Sequence, residues 1–193
     1  GMGTFIGLTI YLPLYFETVM GLSATHSGLG LLPLTCGTVI GATSSGRAMS
    51  QLTHYKRVPM AGLFVAMAGA GVLAAFSGQI PLLPFSIILA VVSIGFGTLL
   101  PVATVSIQNA VQAHQLGTVT AVANFFRQIG GALIVAVFGA IVLGGVGGAG
   151  AQLSPEALKL GTVDRGTMVV LFRYVFGAAS LGFAFALLSL ARM

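Results

Sequence analysis

The chain has 193 residues, of which only 6% are charged and 56% are hydrophobic, and its mean hydropathy is +1.05. A soluble domain uses about 25% charged residues, so this composition excludes a water-soluble globular protein. The net charge of +5 comes from eight Lys and Arg against three acids. These cations lie at the ends of apolar runs, whereas a nucleic-acid-binding protein gathers them on one face. We therefore predict an all-α fold, a polytopic bundle of transmembrane helices.

The apolar runs predict six spans, because about 20 apolar residues are needed to cross a bilayer. In chain order they cover residues 4–20, 28–45, 59–76, 82–107, 118–143 and 172–191. Pro13 and Pro101 each follow a leucine in the first span of a set of three, and we expect each to break its span. This correspondence predicts a three-plus-three repeat, an arrangement that some polytopic membrane folds show.

A basic segment, residues 46–58, separates the second and third spans and contains Arg47, Lys56 and Arg57 without any acidic residue. Cytoplasmic loops carry an excess of Lys and Arg, so this loop is predicted to be cytoplasmic. With an even number of spans, both ends of the chain are then cytoplasmic and the long connection 144–171 is external. Because apolar sequence follows directly after Gly1, we expect the chain to be the C-terminal part of a longer protein.

Polar residues form stripes on two of the predicted spans, because residues four and seven apart share a helical face. The fourth span carries Gly97, Pro101, Thr104 and Gln108, and the fifth carries Thr120, Asn124, Arg127, Gln128 and Gly131. A cation at the centre of a span costs at least about 2.5 kcal/mol. We expect Arg127 to face the interior of the bundle, with either carbonyl groups, such as those near Pro101, or an acidic residue of the missing part of the protein as partners. The alternative is that its side chain snorkels toward the inner surface.

Glu17 and Cys36 differ chemically from the apolar residues around them. Glu17 is the only acidic residue in or near a span, and a carboxyl group in such surroundings can bind a proton and couple it to a conformational change. The alternative for Glu17 is a hydrated carboxylate at the outer end of its span. Cys36 is the only cysteine, and we predict that it is a small buried packing residue. No metal site and no cofactor are expected.

Several short motifs resemble the drug:proton antiporters of the major facilitator superfamily, in the EmrB/QacA-like branch with fourteen spans. The motifs extend over nearly the whole chain, and we quote them as they stand in the sequence. They are Tyr11-Leu-Pro-Leu-Tyr-Phe16, Ser27-Gly-Leu-Gly-Leu-Leu-Pro33, Tyr55-Lys-Arg-Val-Pro59, Leu100-Pro101, Gln108-Asn-Ala-Val111 and Asn124-Phe-Phe-Arg-Gln-Ile-Gly-Gly131.

This resemblance implies the C-terminal six-span half of a secondary transporter in a bacterial inner membrane. The full protein would exchange amphipathic small molecules for protons by alternating access, and the missing N-terminal half would be its partner. The expected substrate or coupling residues are Arg127, Asn124, Gln128, Gln108, Pro101 and Glu17. The resemblance also implies a cytoplasmic gating loop that contains Gly46, Arg47, Lys56 and Arg57.

The sequence departs from the pattern of the branch at four positions. Gln51, Thr53 and His54 replace residues that are more often Arg, Gly and Arg, and Glu17 replaces an amide, Gln. The coupling role of Glu17 is therefore not implied by the resemblance.

Two other classes of function compete with transport. A membrane-embedded enzyme needs clustered His, Asp or Glu within its spans, and the sequence does not provide such a cluster. A non-transporting receptor or assembly subunit on the same fold is the alternative that stays open.

Overall fold

A computed structural model describes residues 1–51, 57–148 and 165–192. The described parts of the chain are helical and contain no β-strand, which agrees with the predicted all-α class. In chain order the helices are α1 (Met2–Thr18), α2 (Ala24–Leu29), α3 (Leu32–Gln51), α4 (Arg57–Ala75), α5 (Leu82–Gly97), α6 (Leu99–Asn109), α7 (Leu116–Gly148) and α8 (Arg165–Arg192), with a short 3-10 turn at Ala113–Gln115.

Four helical segments of the described chain are long and apolar enough to cross a membrane. They are Val58–Ala75, Leu82–Asn109, Leu116–Gly144 and Arg165–Arg192, the second of which comprises α5 and α6 together. Helix α1 has 17 residues, and α3 includes the hydroxyl residues Thr43, Ser44 and Ser45. Hydroxyl groups within a helix are accommodated by bonding to its own carbonyls, as Ser44 does to Ile40 at 2.7 Å.

The long helices run alternately in opposite directions. Helices α1 and α7 are parallel, because Gly3 lies against Gly130 and Gly7 against Phe138. Helices α4 and α8 are antiparallel. The Ser180 hydroxyl donates to the Met67 carbonyl at 3.1 Å. Gly78, which follows α4, contacts Val169, which precedes Ser180 in α8. Helix α1 packs on α7 and α8, and α5 packs correspondingly on α3 and α4. The first helix of each predicted set of three thus packs on the second and third helices of the other set. The repeat itself stays a prediction.

Glycines bring α3, α4 and α5 into backbone contact. A Cβ atom on Gly41 would overlap the Ile94 carbonyl, and one on Gly95 would overlap the Gly62 carbonyl. Lipid provides no hydrophobic driving force between helices, so association depends on close van der Waals approach through small residues. The glycines of α3, α4 and α5 therefore fix α5 between its two neighbours.

An aromatic cluster joins the other ends of the helices. Tyr15 is fully buried, and its ring contacts Phe85 at 5.0 Å and Phe172 at 5.0 Å between ring centroids. Its hydroxyl accepts a hydrogen bond from the Gly78 backbone N–H at 3.2 Å. Gly78 adopts a φ of 83°, which a residue with a side chain rarely adopts. The turn after α4 is thus attached to α1 and α8 through one tyrosine.

The two prolines behave differently from what their sequence context predicted. Pro13 lies inside α1 without ending it, so the expectation that it breaks its span was wrong. In the fourth span the helix is divided at Thr98, where α5 ends and α6 begins. Pro101 has no N–H to donate to the carbonyl of Gly97 four residues earlier, which places the break one turn before the proline. The Ser45 hydroxyl donates to the Thr98 carbonyl at 2.9 Å.

The structure also corrects the prediction for Cys36, which is exposed. The neighbouring Gly37 contacts the Ala90 carbonyl of α5, and Cys36 lies about 100° away from it around α3. It is therefore on the face that does not pack against α5.

The described helix ends differ from the predicted span limits. The short helix α2 (Ala24–Leu29) begins between the first two predicted spans and extends into the start of the second. Helix α3 continues to Gln51 and α4 begins at Arg57, so both ends of the predicted loop 46–58 are helical. Helix α7 extends to Gly148 and α8 begins at Arg165, which shortens the predicted connection 144–171 from both sides.

We predict that Gly95→Ala destabilises the protein, because the new methyl group would overlap the Gly62 carbonyl. Overpacking of this kind costs about 1–3 kcal/mol. Gly177→Ala is the matched control, since nothing lies within 4 Å of a Cβ there and alanine favours a helix over glycine by about 1 kcal/mol. Thermal unfolding in detergent should show a lower midpoint for the first variant only, and equal midpoints would contradict the backbone contact.

Candidate functional site

The polar stripes of α6 and α7 face each other. A small cavity of about 50 Å³ lies between them, and its polar lining comes from Thr104 and Gln108 of α6 and from Thr120, Asn124 and Arg127 of α7. Each residue of this group was expected from the spacing of polar residues along its own helix. The structure adds that the two stripes meet.

Arg127 and Asn124 are linked within the site. The Nη1 of Arg127 donates a hydrogen bond to Oδ1 of Asn124 at 3.1 Å. Residues three apart on a helix are neighbours on its surface, so this bond orients the guanidinium along α7. An interior position was predicted for Arg127, and the structure has its half-buried side chain facing α6. The hydrogen-bond partner described for it is a side-chain amide of its own helix, rather than the carbonyl groups expected near Pro101. An acidic partner in the missing part of the protein stays a prediction.

A larger, mostly apolar cavity adjoins the polar one. It has a volume of about 370 Å³ and is lined by Met2, Leu99, Leu100, Ala103, Ile107, Ala123, Phe126 and Arg127. Ile107, Ala123 and Arg127 line both cavities. The Arg127 side chain therefore lies where an apolar compartment meets a polar one.

Arg127 lies deep in its helix. The middle of the apolar segment Leu116–Gly144 falls at Gly130, and Arg127 precedes it by about 4.5 Å along the helix axis. A cation at that depth is costly unless it faces a protein interior or a hydrated cavity. The two cavities provide such surroundings.

Three of the predicted site residues are not brought into this group. Gln128 is exposed and does not line either cavity. Pro101 does not line them either, although it belongs to the same stripe as Thr104. Glu17 is exposed near the end of α1, about 22 Å along that helix from Met2, which lines the apolar cavity.

The predicted gating loop is described only in part. Gly46 and Arg47 lie in α3 and are exposed, and Arg57 is the first residue of α4. Lys56 lies outside the described residues. The gating role of this segment stays a prediction.

Aromatic residues of α1, α7 and α8 have separate environments. Phe126 lines the apolar cavity and contacts the exposed ring of Phe125 at 5.9 Å between centroids. Phe172 belongs to the buried cluster around Tyr15. Tyr11 donates its hydroxyl hydrogen to the Val135 carbonyl at 3.4 Å and joins α1 to α7.

The sequence interpretation missed the apolar lining residues, chiefly Met2, Leu99, Leu100 and Ala103. Nothing in their residue type separates them from the other apolar residues of the spans. Helical spacing could have identified two of them. Leu100 lies four residues before Thr104 and Ala103 lies four residues before Ile107, so these residues share one face of α6.

A larger groove lies elsewhere, between α4 and α8, and measures about 1030 Å³. Small and aliphatic residues dominate its lining, and its polar side chains, Arg173, Tyr174 and Ser180, all come from α8. It lacks the facing polar stripes of the α6–α7 site, so its volume alone does not make it the better candidate.

Comparison with known proteins identifies the family. Residues 1–135 match the Major Facilitator Superfamily. The chain belongs to this superfamily. It is thereby an integral membrane protein of a transporter family, in agreement with its apolar helices.

Several relatives in the superfamily are similar over the same part of the chain. The "Uncharacterized MFS-type transporter Rv1877" of Mycobacterium tuberculosis is 32% identical over 136 residues, covering 70% of this chain and 20% of that protein. The "Efflux pump aunC" of Aspergillus niger is 33% identical over 138 residues, with 70% and 26% covered. The "Multidrug transporter protein MdtP" of Bacillus subtilis is 25% identical, with 70% and 25% covered. The matched part of the chain thus spans about a fifth to a quarter of each relative.

We predict that Thr104→Cys and Thr120→Cys can be joined by a short bifunctional thiol reagent, because both positions line the cavity of about 50 Å³. The variants should be made in a Cys36→Ser background, since Cys36 is exposed. Thr104→Cys with Val122→Cys is the matched control, as Val122 lies about 200° around α7 from Thr120. Cross-linking is measured in the membrane-inserted protein by the fragments left after cleavage between α6 and α7. Equal yields for both pairs would contradict the facing stripes.

Proposed function

We propose that this chain is the C-terminal six-span half of a secondary transporter that exports amphipathic small molecules in exchange for protons. The cavity between α6 and α7 is the observation that carries the proposal, because it presents Arg127 and amides at its polar end and an apolar compartment beside them. Sites for small molecules in membrane transporters lie near the bilayer midplane at the interface of repeats. The depth of Arg127 suits such a site.

The architecture supports the proposed six spans. Six helical segments, with α5 and α6 counted together, alternate in direction along the chain. Two of them, α1 and α3, are not among the four that satisfy length and hydropathy alone. Hydroxyl-containing or short helices are accommodated in a membrane when neighbouring helices surround them, and α3 packs closely on α5.

The match to a small part of each relative supports the proposed missing half. The relatives named above are about four to five times longer than the segment that matches them. With the resemblance to the EmrB/QacA-like branch, we infer that an N-terminal set of spans completes a fourteen-span protein. Both ends of the present chain would be cytoplasmic, and a bacterial inner membrane is the proposed location.

The movement proposed for alternating access centres on Thr98. Helix α5 has seven buried residues, whereas α6 has one, Val102. A helix held by so few buried contacts reorients at lower cost than one fixed by glycine contacts. Because the helix is divided at Thr98 and Pro101 has no N–H to donate to the Gly97 carbonyl, α6 can tilt relative to α5 and change access to the α6–α7 cavity.

Proton coupling is assigned to an acidic residue of the missing half. Glu17 is exposed near the end of α1, away from the cavity that contains Arg127. A carboxyl group that couples protons to substrate needs to interact with the substrate site or with the moving helix. The residues Gly46, Arg47, Lys56 and Arg57 are proposed to contribute to a cytoplasmic gate.

We predict that Arg127→Ala in the complete transporter lowers efflux at least tenfold without preventing membrane insertion. Arg127→Lys should recover little, because an ammonium group cannot reproduce the planar donors of a guanidinium. Arg173→Gln is the matched control, as it removes a cation from α8 outside the site. Efflux of a fluorescent amphipathic dye from energised cells is the measurement, at equal amounts of protein in the membrane.

Two outcomes would contradict this proposal in different ways. Efflux by Arg127→Ala at the wild-type rate would exclude the α6–α7 site. If the complete wild-type protein gave no energised efflux of any amphipathic compound, the alternative of a receptor or assembly subunit would be favoured.

A further inference from the structure

Within the described parts of the chain, no acidic side chain lines the α6–α7 site. Among the described residues that line its two cavities, Arg127 is the only charged one. Glu17, the only acidic side chain in the described parts of the chain, lies about 22 Å along α1 from the cavity residue Met2. A positive potential in a cleft with largely apolar walls attracts anions and repels cations.

The guanidinium has donors left over for a ligand. It carries five N–H groups, and the hydrogen bond described for it is the one from Nη1 to Asn124 Oδ1 at 3.1 Å. Asn124 accepts this bond as a neutral amide, so it orients the guanidinium without neutralising it. A guanidinium held in one orientation suits two parallel hydrogen bonds to a carboxylate or a similar planar anion.

The two compartments match a ligand with two unlike ends. The apolar cavity of about 370 Å³ is formed by aliphatic residues and Phe126, and its volume lies in the range of small-molecule sites, about 300–1,000 Å³. Thr104, Gln108 and Thr120 surround the other end with neutral hydrogen-bonding groups. Arg127 lies at the junction, within reach of the head group of a molecule whose body fills the apolar side.

We propose that the α6–α7 site binds amphipathic organic anions, with an acidic oxygen group on Arg127 and the apolar body between Met2, Leu100 and Phe126. This inference rests on the proposed function, and it narrows the substrate from amphipathic molecules in general to those with a carboxylate or sulfonate. Amphipathic cations are disfavoured by the same guanidinium. Asn124 is a positioning residue for Arg127.

The test uses two probes that differ in the sign of their charge. 1-Pyrenebutyrate and a pyrenylpropyl-trimethylammonium salt share the same apolar body, and their binding is measured by fluorescence anisotropy. The complete transporter is purified into phosphatidylcholine nanodiscs for this purpose. We expect the anion to bind at least tenfold more tightly than the cation.

Variants then assign the binding to the site. Arg127→Gln should weaken binding of the anion at least tenfold, and Arg127→Lys should weaken it less, because the charge remains. Arg173→Gln removes an equal charge elsewhere and should leave the affinity unchanged. The Lys variant retains the charge in a residue of similar length. Binding by this variant would therefore show that loss of the charge, rather than misfolding, weakens binding in the Gln variant.

A further arm separates a soluble ligand from a lipid head group, which could supply the same anionic oxygen. Phosphatidylglycerol is added to the nanodiscs and the affinity for 1-pyrenebutyrate is measured again. If the affinity falls for the wild type but not for Arg127→Gln, the anionic lipid occupies the site and the inference is overturned. If the wild type still binds 1-pyrenebutyrate more tightly than Arg127→Gln by the same factor, a soluble substrate is supported.

The remaining outcomes distinguish this inference from the proposed function. Equal binding of both probes, binding of neither, or an anion affinity that Arg127→Gln does not change would overturn the inference. Energised export of other amphipathic compounds would leave the proposed function standing in those cases. Anion binding that depends on Arg127, without energised export, would support the inference and contradict the proposed function.

Discussion

Close approach of backbones at glycine is the constraint on which the rest of this structure depends. Because lipid does not drive helices together, α3, α4 and α5 are held by contacts that a single methyl group would block, at Gly41, Gly62 and Gly95. These contacts end where α5 ends, at Thr98. The same predicted span therefore has one half fixed by glycine contacts and one half, α6, with little buried surface. We propose that a site built on α6 changes its access in this way while the remainder of the bundle keeps its packing.

The function proposed for the α6–α7 site depends on this division between α5 and α6. Arg127 lies near the middle of α7, and its energetic cost in a membrane is reduced by the cavities that separate α7 from α6. Because Asn124 orients the guanidinium without cancelling its charge, the charge is available to a ligand. Movement of α6 would change both the volume of the cavity and the hydration of the cation. In the proposed mechanism, binding of a ligand and the tilt of α6 are coupled through the Arg127 side chain.

The sequence predicted much of this arrangement, and the failures have physical causes. The helical class, the order of the apolar segments and the polar stripes followed from composition and a period of 3.6 residues. The meeting of the two stripes did not, because periodicity describes one helix and contains no information on its neighbour. Cys36 and Pro13 were misjudged for related reasons. The burial of Cys36 depends on which face of α3 packs against its neighbours, and the sequence does not contain that information. Pro13 was expected to end its helix, but α1 continues through it. The break at Thr98 lies one turn before Pro101 because a proline cannot donate a hydrogen bond to the carbonyl four residues earlier.

The central claim is that the α6–α7 cavity is hydrated and within the membrane, and cysteine accessibility tests it most directly. Thr104→Cys lines this cavity, and Leu181→Cys is a comparison position on α8 that is 73% exposed, where we expect the exposed surface to face lipid. Both are made in the Cys36→Ser background of the complete protein, in open membrane fragments. The rate of reaction with an anionic, water-soluble methanethiosulfonate reagent is measured for each. The account predicts rapid reaction at residue 104 and almost none at residue 181. Equal rates, or faster reaction at residue 181, would contradict it.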